Sequence, residues 1–363
     1  MTDIHSAQSL DLPGSDLDVA KMPGHWLLAR LGKRVLRPGG LRLTRALLDG
    51  LAIGAADEVV EFAPGLGVTA RTILQRKPQR YTGVERDTKA AQWTAKQLPS
   101  KADISVVVGR ADQTGLPSGS ASVVIGEAML SMQTAEHKRL IAAEAFRLLR
   151  PGGRYGIHEL AVVPEDMSTD RQREIDRALS SVIHVGARPL PAREWKLLLE
   201  SVGFRVVAIG YAPMHLLRPL RLIQDEGILG TLRLAKNLMV DNAARRRVLA
   251  MRWVFERYRR NLSAIYIVAQ KELDEDDFVT GASRAARQIL GLSQACLQKS
   301  LPVAEVPGLS ERVAEDLAMA ERGVLQRALA RAEGNVKAAA ETLGMSRATL
   351  YRKLRRLDLH RSR

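Results

Sequence analysis

Acidic and small residues between positions 58 and 70 are the first place where this sequence could do chemistry. The apolar run 58–62, which contains Glu61, leads directly into the small-residue turn 63–67. Small residues are needed where a backbone must approach a ligand more closely than a Cβ allows. A second apolar run ends at Glu85, a position from which a carboxylate can bind ribose hydroxyls. The pattern predicts a nucleotide-type ligand at the ends of two strands.

Two cofactor classes fit this pattern. The spacing Gly65-x-Gly67-x-x-Ala70, with Glu85 as the ribose-binding acid, satisfies the dinucleotide fingerprint of nicotinamide and flavin enzymes. Glu61, however, lies four residues before the first glycine, where it would repel a pyrophosphate but orient a cationic amino-acid group. This acid favours S-adenosylmethionine over a dinucleotide.

The alternation of strand-like and helical segments predicts an α/β fold with seven strands between residues 57 and 270. The predicted strands are 58–62, 81–85, 104–108, 122–125, 154–160, 204–209 and 262–269. The third strand is followed by Asp112 and Gln113, which places a carboxylate where an adenine amino group could be bound. Seven strands again favour S-adenosylmethionine, because a dinucleotide fold has six.

These features resemble class I S-adenosylmethionine-dependent methyltransferases, a Rossmann-like family, and in particular its small-molecule group that includes the ubiquinone-pathway C-methyltransferases. The resemblance covers residues 55–210 well and 211–270 loosely. It implies that the methionine portion lies against Glu61, Ala63, Gly65 and Gly67, the ribose against Glu85, and the adenine edge against Asp112 with Gln113 nearby. Ala63 departs from the family, which usually has its first glycine there.

Three residues at strand ends are candidate catalytic groups. Ligands of open α/β sheets bind beyond the carboxyl ends of the strands, which selects Glu127, His158 and Glu159. Methyl transfer depends chiefly on alignment of donor and acceptor, and a general base is needed only if the acceptor must lose a proton. His158 has an alternative role, since a histidine at a strand end often satisfies a neighbouring backbone group.

Absent motifs restrict the methyl acceptor. Residues 125–129 read Ile-Gly-Glu-Ala-Met and lack the Asn/Asp-Pro-Pro-aromatic motif of base-amino and glutamine methyltransferases. Methylation of cytosine C5 needs a cysteine nucleophile, and Cys296 lies outside the predicted catalytic domain. A small or lipid-like acceptor remains, approached beneath an N-terminal lid around residues 26–31.

The last part of the sequence predicts three helices with a tight Leu-Gly-Met-Ser turn at 343–346. Over residues 321–359 it resembles the Fis-type helix-turn-helix that ends many bacterial enhancer-binding regulators. The resemblance implies a homodimer that reads two DNA half-sites. The expected N-cap and DNA-contacting residues of the third helix are Ser346, Arg347, Thr349, Tyr351, Arg352 and Lys353.

Bulk properties support this organisation. The formal net charge of +15 favours polyanionic partners, nucleic acid first and an acidic membrane surface second. The single cysteine fits a reducing cytosol and excludes a multi-cysteine zinc site, so no metal is expected. Neither a signal peptide nor a transmembrane segment is predicted, which points to a cytoplasmic protein.

The predicted domains are an N-terminal helical lid at 1–55, a methyltransferase domain at 56–271, an acidic and mixed linker at 272–318, and a helix-turn-helix domain at 319–363. The leading hypothesis is methyl transfer to a small molecule by an enzyme with a sequence-specific DNA-binding tail that acts in transcription regulation. The alternative is a transcription regulator whose methyltransferase fold only senses S-adenosylmethionine or a metabolite. An RNA methyltransferase has only the positive charge in its favour.

Overall fold

The computed structural model describes most of the chain up to Glu272 and short stretches beyond it. The described residues are 12–14, 17–272, 278–279, 301–302, 325, 329, 332, 335–342, 350–351 and 354. The chain divides into two compact units, Met1–Glu272 and Leu273–Arg363. The predicted domain boundaries at 55, 271 and 318 stay predictions.

A sheet with a main path of seven strands forms the centre of the first unit, in the order β3-β2-β1-β4-β5-β8-β7. The strands are β1 Glu58–Phe62, β2 Arg80–Glu85, β3 Ile104–Val108, β4 Ala121–Glu127, β5 Leu149–Val162, β6 Leu190–Pro191, β7 Phe204–Pro213 and β8 Leu262–Lys271. The first five are parallel, the two-residue β6 pairs with β5, and β8 is antiparallel to β5 and β7. The predicted seven-stranded α/β fold is confirmed.

The fifth strand begins earlier than the predicted residue 154. The Pro-Gly-Gly sequence at 151–153 is typical of a helix stop, but the structure places it inside β5. The pairing of β5 with β4 shifts register between Ala121 and Val123, which absorbs the turn within the strand.

The described part of the first unit contains nine α-helices, which pack around the sheet. They are α1 Gly24–Arg30, α2 Gly40–Leu51, α3 Val68–Leu74, α4 Thr88–Gln97, α5 Ala135–Leu148, α6 Thr169–Ile183, α7 Ala192–Ser201, α8 Pro219–Val240 and α9 Asn242–Arg257. None of the helices in the described residues is long and apolar enough to cross a membrane.

The central strands β1, β2 and β4 are buried on both faces, which explains why these parallel strands read as continuous apolar runs. On one face, α5 and α7 pack around Tyr155, Trp195 and Phe204. On the other face, Leu47 and Leu51 of α2 lie over β5, so close that a Cβ at Gly156 would be 2.7 Å from Leu51 Cδ1. The sheet is thereby fixed between two layers, and its strand ends are held in place.

A third apolar cluster joins α1, α6, α8 and α9. Leu28, Leu179 and Met251 are among its buried members. These helices come from distant parts of the sequence, and the inward faces of α1, α6 and α9 form one wall of the cavity described below.

In the second unit, the described residues include a small buried cluster that contains Leu325, Ala339, Ala340, Leu350 and Leu354. The side chain of Asn335 accepts hydrogen bonds from the N–H groups of Lys337 and Ala338 and so caps helix α10, Val336–Thr342.

Some predictions for this unit concern residues that the structure does not describe. Of the six expected N-cap and DNA-contacting residues, Tyr351 is helical and exposed. The other five, Ser346, Arg347, Thr349, Arg352 and Lys353, lie outside the described residues. Within the predicted linker, two short strands, β9 Phe278–Val279 and β10 Leu301–Pro302, pair in antiparallel fashion, which the sequence analysis did not predict.

Candidate active site

The turn between β1 and α3 adopts a backbone that favours residues without a Cβ. Ala63, Gly65 and Gly67 all have positive φ, at 51°, 55° and 71°. Gly67 is the N-cap of α3. Left-handed backbone costs little at glycine but is strained at alanine. Successive left-handed residues bring the turn up to the cavity without side chains in the way, so the backbone fits a ligand that approaches closely.

Glu61 lies at the end of β1 with only 4% of its surface exposed, yet it lines the cavity. Its carboxylate accepts a hydrogen bond from the Tyr81 hydroxyl at 2.6 Å. Burial raises the pKa of Glu61 to about 8, and the nearby Glu127 adds to this while the Tyr81 hydrogen bond opposes it. This carboxyl group therefore holds a proton at neutral pH while the cavity is empty. A cationic group that enters the cavity favours loss of that proton and pairs with the resulting carboxylate.

Glu85 is the last residue of β2, and Asp112 lies in the loop that follows β3. Glu85 is buried and accepts hydrogen bonds from the N–H groups of Gly65 and Asp87, both at 3.3 Å. Burial raises the pKa of Glu85, and those backbone bonds oppose the shift. Asp112 forms a bidentate ion pair with Arg110, at 2.7 and 3.0 Å, which lowers the pKa of Asp112. One side of the cavity therefore carries three carboxyl groups, including Glu61.

A polar network at Glu127 joins the N-terminal segment to the sheet. The Glu127 carboxylate is bound by the Arg37 guanidinium, by the hydroxyls of Thr44 and Thr69, and by His158 Nδ1 at 2.7 Å. Burial acts to raise the pKa of Glu127, but the Arg37 charge and the His158 hydrogen bond hold it well below its usual range. Glu127 is thus an anion with hydrogen-bond partners on both carboxylate oxygens, and it holds Arg37 at the cavity wall.

His158 and Glu159 are fully buried behind the cavity wall. Nε2 of His158 accepts a hydrogen bond from the Gly39 N–H at 3.1 Å, so the proton of a neutral ring is on Nδ1, which donates to Glu127. The Glu159 carboxylate accepts four hydrogen bonds from residues 129–131, at 2.6–3.0 Å. The catalytic assignment of these residues stays a prediction, and the geometry favours positioning roles for both.

One cavity of about 770 Å³ contains the candidate residues and has two chemically different halves. The polar half is lined by the carboxyl groups described above and by the turn at 63–66. The other half is lined by apolar side chains of α1, β5, α6, α9 and the segment before α8: Leu28, Leu160, Leu179, Met214, Met251 and Phe255. A charged cofactor and an apolar second ligand can thus bind side by side.

Of the seven predicted cofactor residues, all of which are described, five line this cavity: Glu61, Ala63, Gly65, Glu85 and Asp112. Gly67 shapes the turn as a helix cap, and Gln113 closes a short bridge with Arg110.

Sequence reasoning missed several residues of the site. Arg37 pairs with Glu127 across 90 positions of sequence, and Tyr81 bonds Glu61 across 20. His25 on α1 also lines the cavity, and burial lowers its pKa to about 4. The signal available for Tyr81 was its place at the start of a strand next to β1, whereas no local pattern marks Arg37 or His25.

Comparison with known proteins identifies the domain that holds this cavity. The methyltransferase domain family matches residues 59–153, which span β1 to the beginning of β5 and include every predicted cofactor residue. An uncharacterized protein of Haemophilus influenzae is 36% identical over 219 residues, which cover 60% of this chain and 85% of the relative. The chain belongs to the class I S-adenosylmethionine-dependent methyltransferases. S-adenosylmethionine is therefore the cofactor of this methyltransferase, and the polar half of its cavity fits that cofactor.

Two named methyltransferases are similar to part of the chain. The 27-O-demethylrifamycin SV methyltransferase of Amycolatopsis mediterranei is 28% identical over 166 residues, which cover 44% of this chain and 61% of the relative. Phosphoethanolamine N-methyltransferase 2 of Haemonchus contortus, solved with S-adenosyl-L-methionine, has a TM-score of 0.52 at 16% identity. That alignment covers 69% of this chain and 57% of the other. The chain therefore spans less than two thirds of both proteins, and the structural likeness shows a shared fold.

The C-terminal segment of the chain matches a second, unrelated family. The Fis family of bacterial regulatory proteins matches residues 316–357. The chain thus combines a methyltransferase domain with a Fis-type helix-turn-helix DNA-binding motif.

Proposed function

We propose that this methyltransferase transfers a methyl group to a small, largely apolar molecule, and that its C-terminal motif binds DNA and couples the enzyme to transcription. The observation that carries the proposal is the division of one cavity into a polar and an apolar half. Small-molecule sites are mostly apolar, with a few polar groups that fix orientation.

The polar half supports binding of the cofactor. The Glu61 carboxylate is suited to the α-ammonium group, and Glu85 and Asp112 to the ribose hydroxyls and adenine edge. Arg34 and Arg37 line the same cavity; burial lowers the pKa of the nearby Arg71 guanidinium, and the charges of Arg34 and Arg37 lower it further. These cations are suited to the methionine carboxylate, so the ammonium and the carboxylate of the cofactor each have a partner of opposite sign.

Bound S-adenosylmethionine supplies an electrophilic methyl group. The chain contributes alignment and exclusion of water. Arg37, held by Glu127 and Thr69, places the segment 34–38 over the cofactor half. His25 faces the cavity from α1 and forms no hydrogen bond from its ring to any described residue. A neutral imidazole there can accept a hydrogen bond from an acceptor hydroxyl or amine and so orient it.

A purified enzyme incubated with methyl-labelled S-adenosylmethionine and a metabolite extract tests the proposal. We expect label in a low-molecular-weight fraction that partitions into organic solvent. Glu61→Gln should abolish the signal, whereas Glu58→Gln on the same strand is a matched control, because Glu58 points to Arg80 and Arg150. Label in RNA or protein would contradict the acceptor class. Binding of the cofactor without any transfer would favour the sensor alternative.

A further inference from the structure

Helices α8 and α9 expose an unusual amount of apolar surface. Nine large hydrophobic side chains of residues 219–260 are exposed, whereas α8 fully buries only Leu234. Five of the nine are at least 68% exposed: Leu220, Ile228, Leu229, Met239 and Val240. Large apolar side chains exposed in this number on two helices that contact each other indicate an interaction site. We call the exposed residues of 219–260 the α8–α9 surface.

The charges on the α8–α9 surface all have the same sign. Eight basic residues of this stretch are exposed: Arg233, Lys236, Arg245, Arg246, Arg252, Arg257, Arg259 and Arg260. The stretch is described throughout, and none of its four acidic residues is exposed as these cations are. Glu226, Asp241 and Glu256 form ion pairs with Lys33, Arg30 and Arg218. Asp225 accepts a hydrogen bond from the Leu41 N–H.

On α9 the basic and apolar residues alternate along one exposed stripe. Arg245, Arg246, Leu249, Arg252 and Trp253 recur at helical spacing, opposite a face that buries Val248 and Met251. The Arg257 guanidinium lies 5.2 Å from the Trp253 ring centroid. Arginine, tryptophan and leucine on one exposed helix surface are typical of helices that lie in the membrane–water interface.

A cleft at one end of this surface adds to its positive character. The cleft, of about 660 Å³, is lined by His215, Arg221 and Arg252 beside the ion pair of Arg218 with Glu256. Three arginines face a single carboxylate there. An anionic headgroup would balance the excess charge.

The composition distinguishes among possible occupants. DNA would neutralise the cations but would leave nine large apolar side chains against a polar, charged backbone. The core of a protein interface is depleted of charged residues, whereas here the cations are interspersed with the apolar groups. An anionic bilayer surface satisfies both sets, since headgroups bind the cations and the acyl boundary receives the apolar side chains.

We propose that the α8–α9 surface binds the enzyme peripherally to an anionic membrane. Met251 and Phe255, on the inward face of α9, line the apolar half of the cavity. A lipid-like acceptor could therefore pass from the membrane into the apolar half of the cavity next to α9. This last step rests on the proposed function, whereas membrane binding does not, and a failure of methyl transfer leaves it standing.

Vesicle flotation with the full-length protein tests the proposal. Vesicles of phosphatidylglycerol and phosphatidylcholine are compared with vesicles of phosphatidylcholine alone. We expect flotation with the anionic vesicles only. Arg245→Glu with Arg246→Glu should reduce the partition coefficient by about tenfold or more, because two cations become anions. Ile228→Ser with Leu229→Ser should reduce it by a similar factor, through lost insertion of apolar side chains.

Matched substitutions on α7 serve as controls, since Arg193 and Leu197 are exposed on a helix outside the surface. Arg193→Glu and Leu197→Ser should float as the wild type does. All variants are checked by thermal unfolding and by calorimetric binding of S-adenosylmethionine, which should not change because the substituted side chains are exposed.

Three results would overturn the proposal. The first is an absence of flotation with anionic vesicles at low salt. The second is flotation that is unchanged in both pairs of surface variants, which would locate the binding elsewhere in this basic chain. The third is loss of self-association in the Ile228→Ser, Leu229→Ser variant, measured by light scattering, with flotation intact; that result would assign the apolar residues to a second copy of the chain.

Discussion

At the scale of single residues, burial determines what the acidic groups of the site can do. Glu61 and Glu127 both line the cavity, but they differ in their partners. Glu127 is held as an anion by Arg37 and His158, whereas the carboxyl of Glu61 has only the neutral Tyr81 hydroxyl as a hydrogen-bond partner among the described residues. The charge of Glu61 is therefore the one that a cationic ligand can change.

Cofactor binding should release a proton from Glu61. Burial raises the pKa of this carboxyl to about 8, so it is largely protonated at pH 7 and ionises when the cofactor ammonium group arrives. The affinity for S-adenosylmethionine should rise with pH up to about 8. Calorimetry in two buffers of different ionisation enthalpy measures the released proton, which should disappear in Glu61→Gln and persist in Glu58→Gln.

The raised pKa of Glu61 also affects the stability of the protein without cofactor. The folded state keeps the Glu61 proton to a higher pH than the unfolded chain does. The free energy of unfolding should thus decrease as the pH rises from about 4.5 to about 8. A Glu61→Gln variant that keeps the full slope would contradict this assignment.

His25 is the second residue with a testable role. Burial lowers the pKa of its imidazole to about 4, so the ring is neutral over the physiological range and can accept a hydrogen bond that orients the methyl acceptor. We expect His25→Gln to lower kcat by roughly 10²-fold while the Kd for S-adenosylmethionine is unchanged. The wild-type rate should fall only as the pH approaches the pKa near 4, and the variant should lack this limb.

His184→Asn is a suitable control for that measurement, because His184 is exposed and asparagine tolerates its left-handed backbone. Equal loss of cofactor binding and turnover in His25→Gln would argue for a packing role instead.

At the scale of elements, α8 holds the segment that covers the cofactor half. The Glu226 carboxylate accepts hydrogen bonds from the N–H groups of Arg34 and Val35, at 2.9–3.0 Å, and pairs with the buried Lys33 at 3.2 Å. Gly227, with a φ of 73°, breaks the helical geometry directly after it. The kink and the carboxylate together fix the path of the chain towards Arg37.

Removal of the Glu226 charge should destabilise the fold. Lys33 is fully buried, so Glu226→Gln leaves its cation without an ion-pair partner and with only the charge of Asp225 nearby, which should lower the free energy of unfolding by about 3 kcal/mol. The double variant Lys33→Met, Glu226→Gln should lose less than the sum of the single changes. Denaturant unfolding of the four proteins measures this coupling, and strictly additive costs would refute it.

The sequence predicted helices and strands better than it predicted contacts between distant side chains. The strands were predicted because parallel strands buried on both faces give local apolar runs, and the turn at 63–67 because left-handed backbone requires small residues. Contacts between distant residues have no such local signal. Glu226 binds residues more than 190 positions away, and Arg37 and Glu127 are 90 apart. The early start of β5 was missed because Pro-Gly-Gly locally resembles a helix stop.

At the scale of the whole molecule, the chain combines two units with separate cores, Met1–Glu272 and Leu273–Arg363. The predicted cofactor residues all belong to the first unit, and the Fis-type motif belongs to the second. Each activity should therefore survive without the other.

A fragment that ends at Glu272 should bind S-adenosylmethionine with the affinity of the full chain but should not shift labelled DNA. In the full chain, Arg347→Ala and Arg352→Ala should each weaken DNA binding. Where the lost contact is to a phosphate, the slope of log affinity against log salt should decrease by about one. Arg193→Ala is the control, and DNA binding that is unchanged by both helix substitutions would remove them from the interface.

The central claim is that one cavity holds the cofactor in its polar half and an apolar acceptor in the other. Val185 lines the acceptor half from the loop after α6, so Val185→Trp should fill that space without touching Glu61, Glu85 or Asp112. The decisive measurement compares the Kd for S-adenosylmethionine with the rate of label transfer into the organic-soluble fraction in this variant. We expect a Kd within about twofold of wild type and a rate reduced by about 10²-fold or more. Unchanged transfer, or equal loss of binding and transfer, would contradict it.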